Sequence, residues 1–224
     1  MDIVQRAKNI CLTPATEWAA IEAETTSTGQ LIMGYAAPLA AIPAIAGFIG
    51  GSLLGLTPFV GYYRVPIIAG FVSAVLGFGL TLVGIFVLSL VIDALAPTFG
   101  GQKNSLQALK VAVYCCTPAW LAGVLNIVPL LGILGIFAAL YGLYLLYLGL
   151  PRLMKCPEDK AIPYTAVVVV CAIVLAIVIG AIGGIFLGAG MVGRGAFASA
   201  AASSDVHFDK NSPIGQLQAI SKKM

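Results

Sequence analysis

Charge is what this chain has least of. Asp, Glu, Lys and Arg make up 9% of its 224 residues while 60% are hydrophobic, against about 25% charged in soluble domains. No charged residue occurs from Thr25 to Tyr63, from Val111 to Pro151, or from Ala161 to Gly193. A soluble domain is excluded. The formal net charge of +3 is small and scattered, which excludes a nucleic-acid-binding face. Histidine is nearly missing, with His207 alone, and there is neither a nucleophile elbow nor a phosphate-binding glycine loop before a lysine. No enzyme is expected, and no cofactor. The five cysteines, Cys11, Cys115, Cys116, Cys156 and Cys171, are an odd set without metal-ligand spacing and read as buried thiols. A cleavable signal peptide is not expected either, because the first apolar run starts near Gln30 and is too long for one.

What is present is a series of apolar runs long enough to cross about 30 Å of hydrocarbon, which takes about 20 helical residues. They predict an all-α, polytopic integral membrane protein, a five-helix transmembrane bundle preceded by interfacial amphipathic helices. The spans are placed at about 30–56, 67–92, 106–125, 130–150 and 163–190. Together they form a membrane domain over 30–193, with cytoplasmic helices over 1–29 and a polar tail over 194–224. The run from Val111 to Pro151 is about twice one crossing, so Asn126 and Pro129 are assigned to a hairpin.

At the N-terminus, Ile3, Val4, Ala7, Ile10 and Cys11 fall on one helical face with Arg6 mainly opposite, the pattern of a helix lying on the membrane surface. Thr13 and Pro14 restart a helix as N-cap and first residue. Trp18 reads as an interfacial anchor, or with Glu17 as part of a partner or ligand surface. In span one, Pro38 and Pro43 predict bends, and Gly47, Gly51 and Gly55 form a four-residue ridge repeated in span five by Gly180, Gly184 and Gly188. Such ridges let backbones approach closely. Spans one and five are expected neighbours, and the ridge serves internal packing or a seam between two copies. Pro118 predicts a kink in span three.

The least lipid-like stretch runs from Val91 to Gly101. An apolar helix there stops on Asp93, meets Pro97 and Phe99, and turns at Gly100 and Gly101. A carboxylate at the hydrocarbon boundary is costly to desolvate. Asp93 is therefore expected either to pair with Lys103, Lys155 or Lys160 in a pocket for a headgroup, cation or partner, or to act as a cap for the loop. Arg152, Lys155 and Lys160 belong to the same face. In the tail, Asp205, His207 and Asp209 make a weak metal candidate. Placing the N-terminus inside puts Arg6, Lys8, Lys103, Lys110, Arg152, Lys155 and Lys160 on the cytoplasmic side and, close to a span, only Arg64 and Arg194 outside, so the charge bias favours a cytoplasmic N-terminus and an external C-terminus.

Four segments carry a resemblance when taken in order: Arg6 to Ile10 with Thr13 to Trp18, the turn from Asp93 to Gly101, Tyr114 to Trp120, and Tyr144 to Lys155. Together they resemble the Yip1 domain family in its prokaryotic branch, over roughly Ile3 to Gly190. The resemblance implies five spans and a cytosolic N-terminus in a plasma membrane, the inner membrane if bacterial. Eukaryotic relatives act in vesicle traffic and bind small Rab-type GTPases and one another. Their long cytosolic arm is replaced here by a short segment, which weighs against a GTPase partner. The expected role is a scaffold or adaptor presenting a cytoplasmic surface to membrane lipids, another membrane protein or a second copy; the alternative is a small channel or transporter with proline-kinked helices.

Overall fold

The computed structural model describes residues 2–57, 61–62 and 64–204, with side chains described to residue 184 apart from 56–57, 61–62 and 129–130. Two short helices, α1 (Ile3–Leu12) and α2 (Pro14–Ala23), precede five helices long and apolar enough to cross a membrane. Span one, Thr28–Leu54, joins α3 (Thr28–Leu31) and α4 (Ala37–Phe48) through a π turn at Ile32–Ala36 and ends in a second at Ile49–Leu54. A two-residue ladder, β1 (Leu56–Thr57) with β2 (Gly61–Tyr62), comes next in the chain. Span two, Ile67–Phe99, is α5 (Ile67–Leu95) with a 3-10 turn at Ala96–Phe99. Span three, Ser105–Ile127, is α6 (Ser105–Ala122) with a 3-10 turn at Gly123–Ile127. Span four, Leu131–Met154, contains α7 (Gly135–Met154), and span five, Glu158–Gly184, is the first part of α8 (Glu158–Ser204). Met1–Gly184 form one compact unit, which holds all five spans, and Ile185–Met224 form a second.

The breaks fall where backbone chemistry puts them. Proline removes an intrahelical donor and crowds the carbonyl four residues back, and the wider π turn at Ile32–Ala36 stands immediately before Pro38. Thr13 and Pro14 separate α1 from α2 as N-cap and first helical residue. Val128 is extended, and Pro129 opens a second 3-10 segment, Pro129–Leu134, so the reversal between spans three and four lies beside Asn126 as its composition predicts. Gly55, at φ 72°, ends the second π turn in the left-handed region.

Span three is the hub. Of its apolar window 67% is buried, against 6% for span five, so α6 is packed on most sides while span five is largely turned outward. Tyr35 ties span one to α6 through a 3.0 Å hydrogen bond with Thr117. Close backbone approach is supplied by glycines outside the expected ridges. A Cβ on Gly142 would lie 2.7 Å from the Cys115 carbonyl oxygen, one on Gly50 2.6 Å from that of Asn126, and one on Gly123 2.5 Å from Pro43 Cβ.

The ridge of Gly47, Gly51, Gly180 and Gly184 does not join spans one and five. Nothing lies within 4 Å of an added Cβ at Gly47, Gly180 or Gly184, and Gly51 meets only Val65. Span five instead meets span two, where Ile179 packs on Gly84 and the Tyr164 hydroxyl donates to the Ile92 carbonyl at 2.5 Å. Four-residue spacing marks a smooth stripe without saying which neighbour it faces. Gly188 lies outside the residues whose side chains are described.

These contacts separate two kinds of glycine. Gly142→Ala should destabilise the protein by about 1–3 kcal/mol, the usual cost of overpacking. Gly180→Ala should stay within about 0.5 kcal/mol of the parent. Thermal unfolding in detergent compares them, and equal effects would contradict the close approach of α6 and α7.

Candidate functional site

The side chains with most chemistry gather where α1 and α2 pack on α6 and α7. The inward stripe of α1 is Arg6, Ala7 and Ile10, all buried, with Ile3 half-buried and Val4 exposed. The stripe has i, i+3, i+4, i+7 spacing, so a cation occupies a position in the helix's inward face. Arg6, 4% exposed, donates through Nη1 to Glu17 Oε1 at 2.7 Å and pairs through Nη2 with Glu24. Asn9 Nδ2 donates to the other Glu17 oxygen at 3.1 Å. The guanidinium also stands 5.8 Å from the Tyr114 ring centroid.

Lys110 completes the cluster. It is 1% exposed, and its Nζ donates to the carbonyls of Ile21 at 2.8 Å and Glu24 at 2.6 Å. The last carbonyls of a helix have no intrahelical partner and carry the negative end of its dipole. An ammonium from α6 therefore closes α2 and fixes it to span three. Counted formally, the cations Arg6 and Lys110 balance the carboxylates Glu17 and Glu24; Arg6 pairs with both carboxylates, and Lys110 bonds backbone carbonyls. Trp18, 1% exposed, packs beside it, edge-on to Tyr114 with centroids 6.1 Å apart and against Gly149, where a Cβ would lie 2.8 Å from the indole.

This arrangement sets the depth of the N-terminal pair. The Tyr141 hydroxyl donates to the Cys11 carbonyl at 2.7 Å. Tyr141 precedes Met154 by 13 residues, about 20 Å of helix at 1.5 Å per residue. The turn between α1 and α2 therefore reaches far down the flank of α7, and both helices put their apolar sides on the bundle. An open cleft of about 390 Å³ remains between α1, the start of span one and α6, lined in part by Arg6, Glu24, Thr25, Thr26, Gln30 and Tyr114.

A second structured region surrounds Asp93. Gly100, at φ 76°, takes the conformation that favours glycine, and Gly101 brings its backbone against Met154, whose oxygen would lie 2.8 Å from an added Cβ. The Gly101 amide donates to the Ala96 carbonyl and the Gln102 amide to the Met154 carbonyl, each at 2.8 Å. Phe99 stacks on Tyr164 with centroids 4.9 Å apart. The turn is thus clasped to the ends of α7 and α8. Burial pushes the Cys156 thiol, beside this clasp, above its ordinary value.

The residues expected to act together are only partly brought together. Asp93 forms no ion pair with Lys103, Lys155 or Lys160 among the described residues, and its Oδ1 is buried without a partner. Lys155 pairs with Glu22 of α2 instead. Glu17 and Trp18, expected on an outer surface or at the interface, are turned inward because Arg6 and Gly149 receive them. Pro97, Lys103, Arg152 and Lys160 are exposed, with Lys160 Nζ above Gly100 at 3.7 Å from an added Cβ. The tail candidates Asp205, His207 and Asp209 lie outside the described residues. Arg6, Lys110 and Tyr114 were not singled out by sequence reasoning; the stripe containing Arg6, and a lysine two turns into an apolar helix, were the available signals.

Known proteins share this sequence pattern. The family model described as the Yip1 domain matches residues 8–180. The chain is 28% identical over 119 residues to the inner membrane protein YohC of Escherichia coli K12, and equally to YohC of Escherichia coli O6:H1. The alignment covers 53% of this chain and 61% of those relatives' length. No solved structure matches the chain.

The Arg6–Glu17 pair has side chains 5% and 7% exposed, and removing one partner of a buried pair costs about 3–5 kcal/mol. Arg6→Met should lower stability by that order, and adding Glu17→Leu should restore much of it, because the stranded carboxylate is gone. Thermal unfolding of the single and double variants checks this. A neutral effect of Arg6→Met would show that the pair does not hold α1.

Proposed function

Since the chain belongs to the Yip1 domain family, we propose that it is a non-enzymatic scaffold or adaptor of a bacterial inner membrane, presenting its N-terminal side to lipids or partner proteins from the cytoplasm. The observation that carries this reading is the clasp at that end. Gln102 is bonded to Met154, Phe99 is stacked on Tyr164, and Glu22 is paired with Lys155. The loops are therefore held in one arrangement while Lys8, Lys103, Arg152 and Lys160 stay exposed. A fixed surface bearing cations suits anionic headgroups and acidic partner segments, since the ordering cost of binding is already met. Glu17 and Trp18 support this surface from behind.

Transport is a second reading, favoured by the π turns of span one at Ile32–Ala36 and Ile49–Leu54. Such turns often accompany function. Coupled transport usually uses ionisable groups inside the bundle; Arg6, Glu17, Glu24 and Lys110 are engaged in holding α1 and α2, while Asp93 stands near the end of α5 with one carboxylate oxygen buried and unpartnered.

Photo-crosslinkers at Lys103 and Lys160, in cells carrying reporter fusions after Gly101 and after Lys210, test the scaffold reading. The expected result is an internal reporter after Gly101, an external one after Lys210, and discrete adducts from both crosslinkers that a crosslinker at the exposed Val178 does not give. An external reporter after Gly101 would overturn it, as would solute flux through liposomes abolished by Pro43→Ala.

A further inference from the structure

We propose that the cleft between α1 and the start of span one is a binding site for the headgroup of a zwitterionic phospholipid carrying a primary amine. The site is distinct from the exposed clasp around Asp93 and goes beyond the scaffold reading. Its volume of about 390 Å³ falls within the range of small-molecule sites. Its position suits a lipid. Gln30, Leu31, Gly34 and Tyr35 line it from the first turns of span one, and Tyr114 lies nine residues into α6, about 14 Å from its start. The cleft thus sits at the depth of headgroups and upper acyl chains. Val4 and Met33, next in sequence to its apolar lining, are 71% and 75% exposed, as expected of residues facing lipid tails.

Charge stoichiometry selects the headgroup. Counted formally, Arg6 and Lys110 balance Glu17 and Glu24, so a ligand with net charge would leave an uncompensated charge beside the buried Arg6. A zwitterion exchanges pairs without changing the total. Glu24 is the partner free to exchange, because its side chain is 35% exposed while Arg6 and Glu17 are 5% and 7% exposed. Turning Glu24 to an ammonium leaves Arg6 paired with Glu17 through Nη1 and frees Nη2 for a phosphate oxygen. A primary ammonium offers three donors to Glu24 and a quaternary one offers none.

Tyr114 supplies an independent sign of a ligand. It is 5% exposed, lines the cleft, and its hydroxyl is bonded to no other described residue. The ring is packed while the hydroxyl opens to the cleft, unlike the buried unpartnered atoms of Trp18 and Asp93, and a phosphate oxygen in the cleft would receive its proton. The hydroxyls of Thr25 and Thr26 stand on the same wall.

The test is lipid retention by the full chain in nanodiscs, read by native mass spectrometry with phosphatidylethanolamine, phosphatidylcholine or phosphatidylglycerol as the probe. Phosphatidylethanolamine should be retained about tenfold over the other two, a difference of about 1.4 kcal/mol. Glu24→Gln should abolish its preference over phosphatidylcholine. Tyr114→Phe removes a hydroxyl with no protein partner, so it should fold as the parent does and retain phosphatidylethanolamine several-fold less well. Equal or better retention of phosphatidylglycerol would overturn the proposal, as would unchanged retention by Tyr114→Phe. Full displacement of the lipid by soluble phosphoethanolamine would assign the cleft to a free metabolite and overturn the lipid assignment. Failure here leaves the crosslinking result at Lys103 and Lys160 unaffected.

Discussion

A buried arginine must find its counter-charges inside the protein, and in this chain that requirement organises the whole N-terminal side. Arg6 is 4% exposed and is held by Glu17 and Glu24; Lys110 then closes α2 on the same spot. Each group makes sense only with the others present. Removing a cation strands a carboxylate, and removing a carboxylate leaves a cation in a low-dielectric site. The result is a short amphipathic pair attached to the bundle by ionic and dipolar contacts at one level and by Trp18 on Gly149 beside it.

Once α1 and α2 are fixed, the rest of that end is set by contact. Glu22 meets Lys155 just beyond α7, and Lys155 itself stands at φ 54°, a conformation costly for a residue with a Cβ. The adjoining loop then receives the Gln102 amide on the Met154 carbonyl. The opposite end is built differently. There, the 3-10 turn at Gly123–Ile127 closes against span one, Gly123 on Pro43 and Gly50 on Asn126. Charge holds one side and close backbone packing the other.

Features set by local composition were legible in the sequence. Uncharged runs of sufficient length gave the five spans, Thr13 with Pro14 the restart of α2, and Asn126 with Pro129 the reversal after span three. Gly100 and Gly101 were legible as a tight turn because a left-handed φ and a close carbonyl both require glycine. What depended on which faces meet was not legible. Asp93 was expected beside Lys103, Lys155 or Lys160, but Lys155 is drawn to Glu22. Trp18 has the composition of an interfacial anchor, yet its place is decided by the missing side chain of Gly149, 131 positions later. The glycine ridge of spans one and five failed for the same reason, since periodicity names a stripe and not its neighbour.

The attachment of α1 and α2 is most directly measured by amide hydrogen exchange on the full chain in nanodiscs, comparing the parent with Lys110→Met. In the parent, the amides of α1 and α2 should be protected to a degree similar to those of α6, and Lys110→Met should release α2 while leaving α6 protected. Rapid exchange throughout α1 and α2 in the parent, as from helices resting loosely on a membrane surface, would contradict the buried charge cluster as the element that holds this side of the protein together.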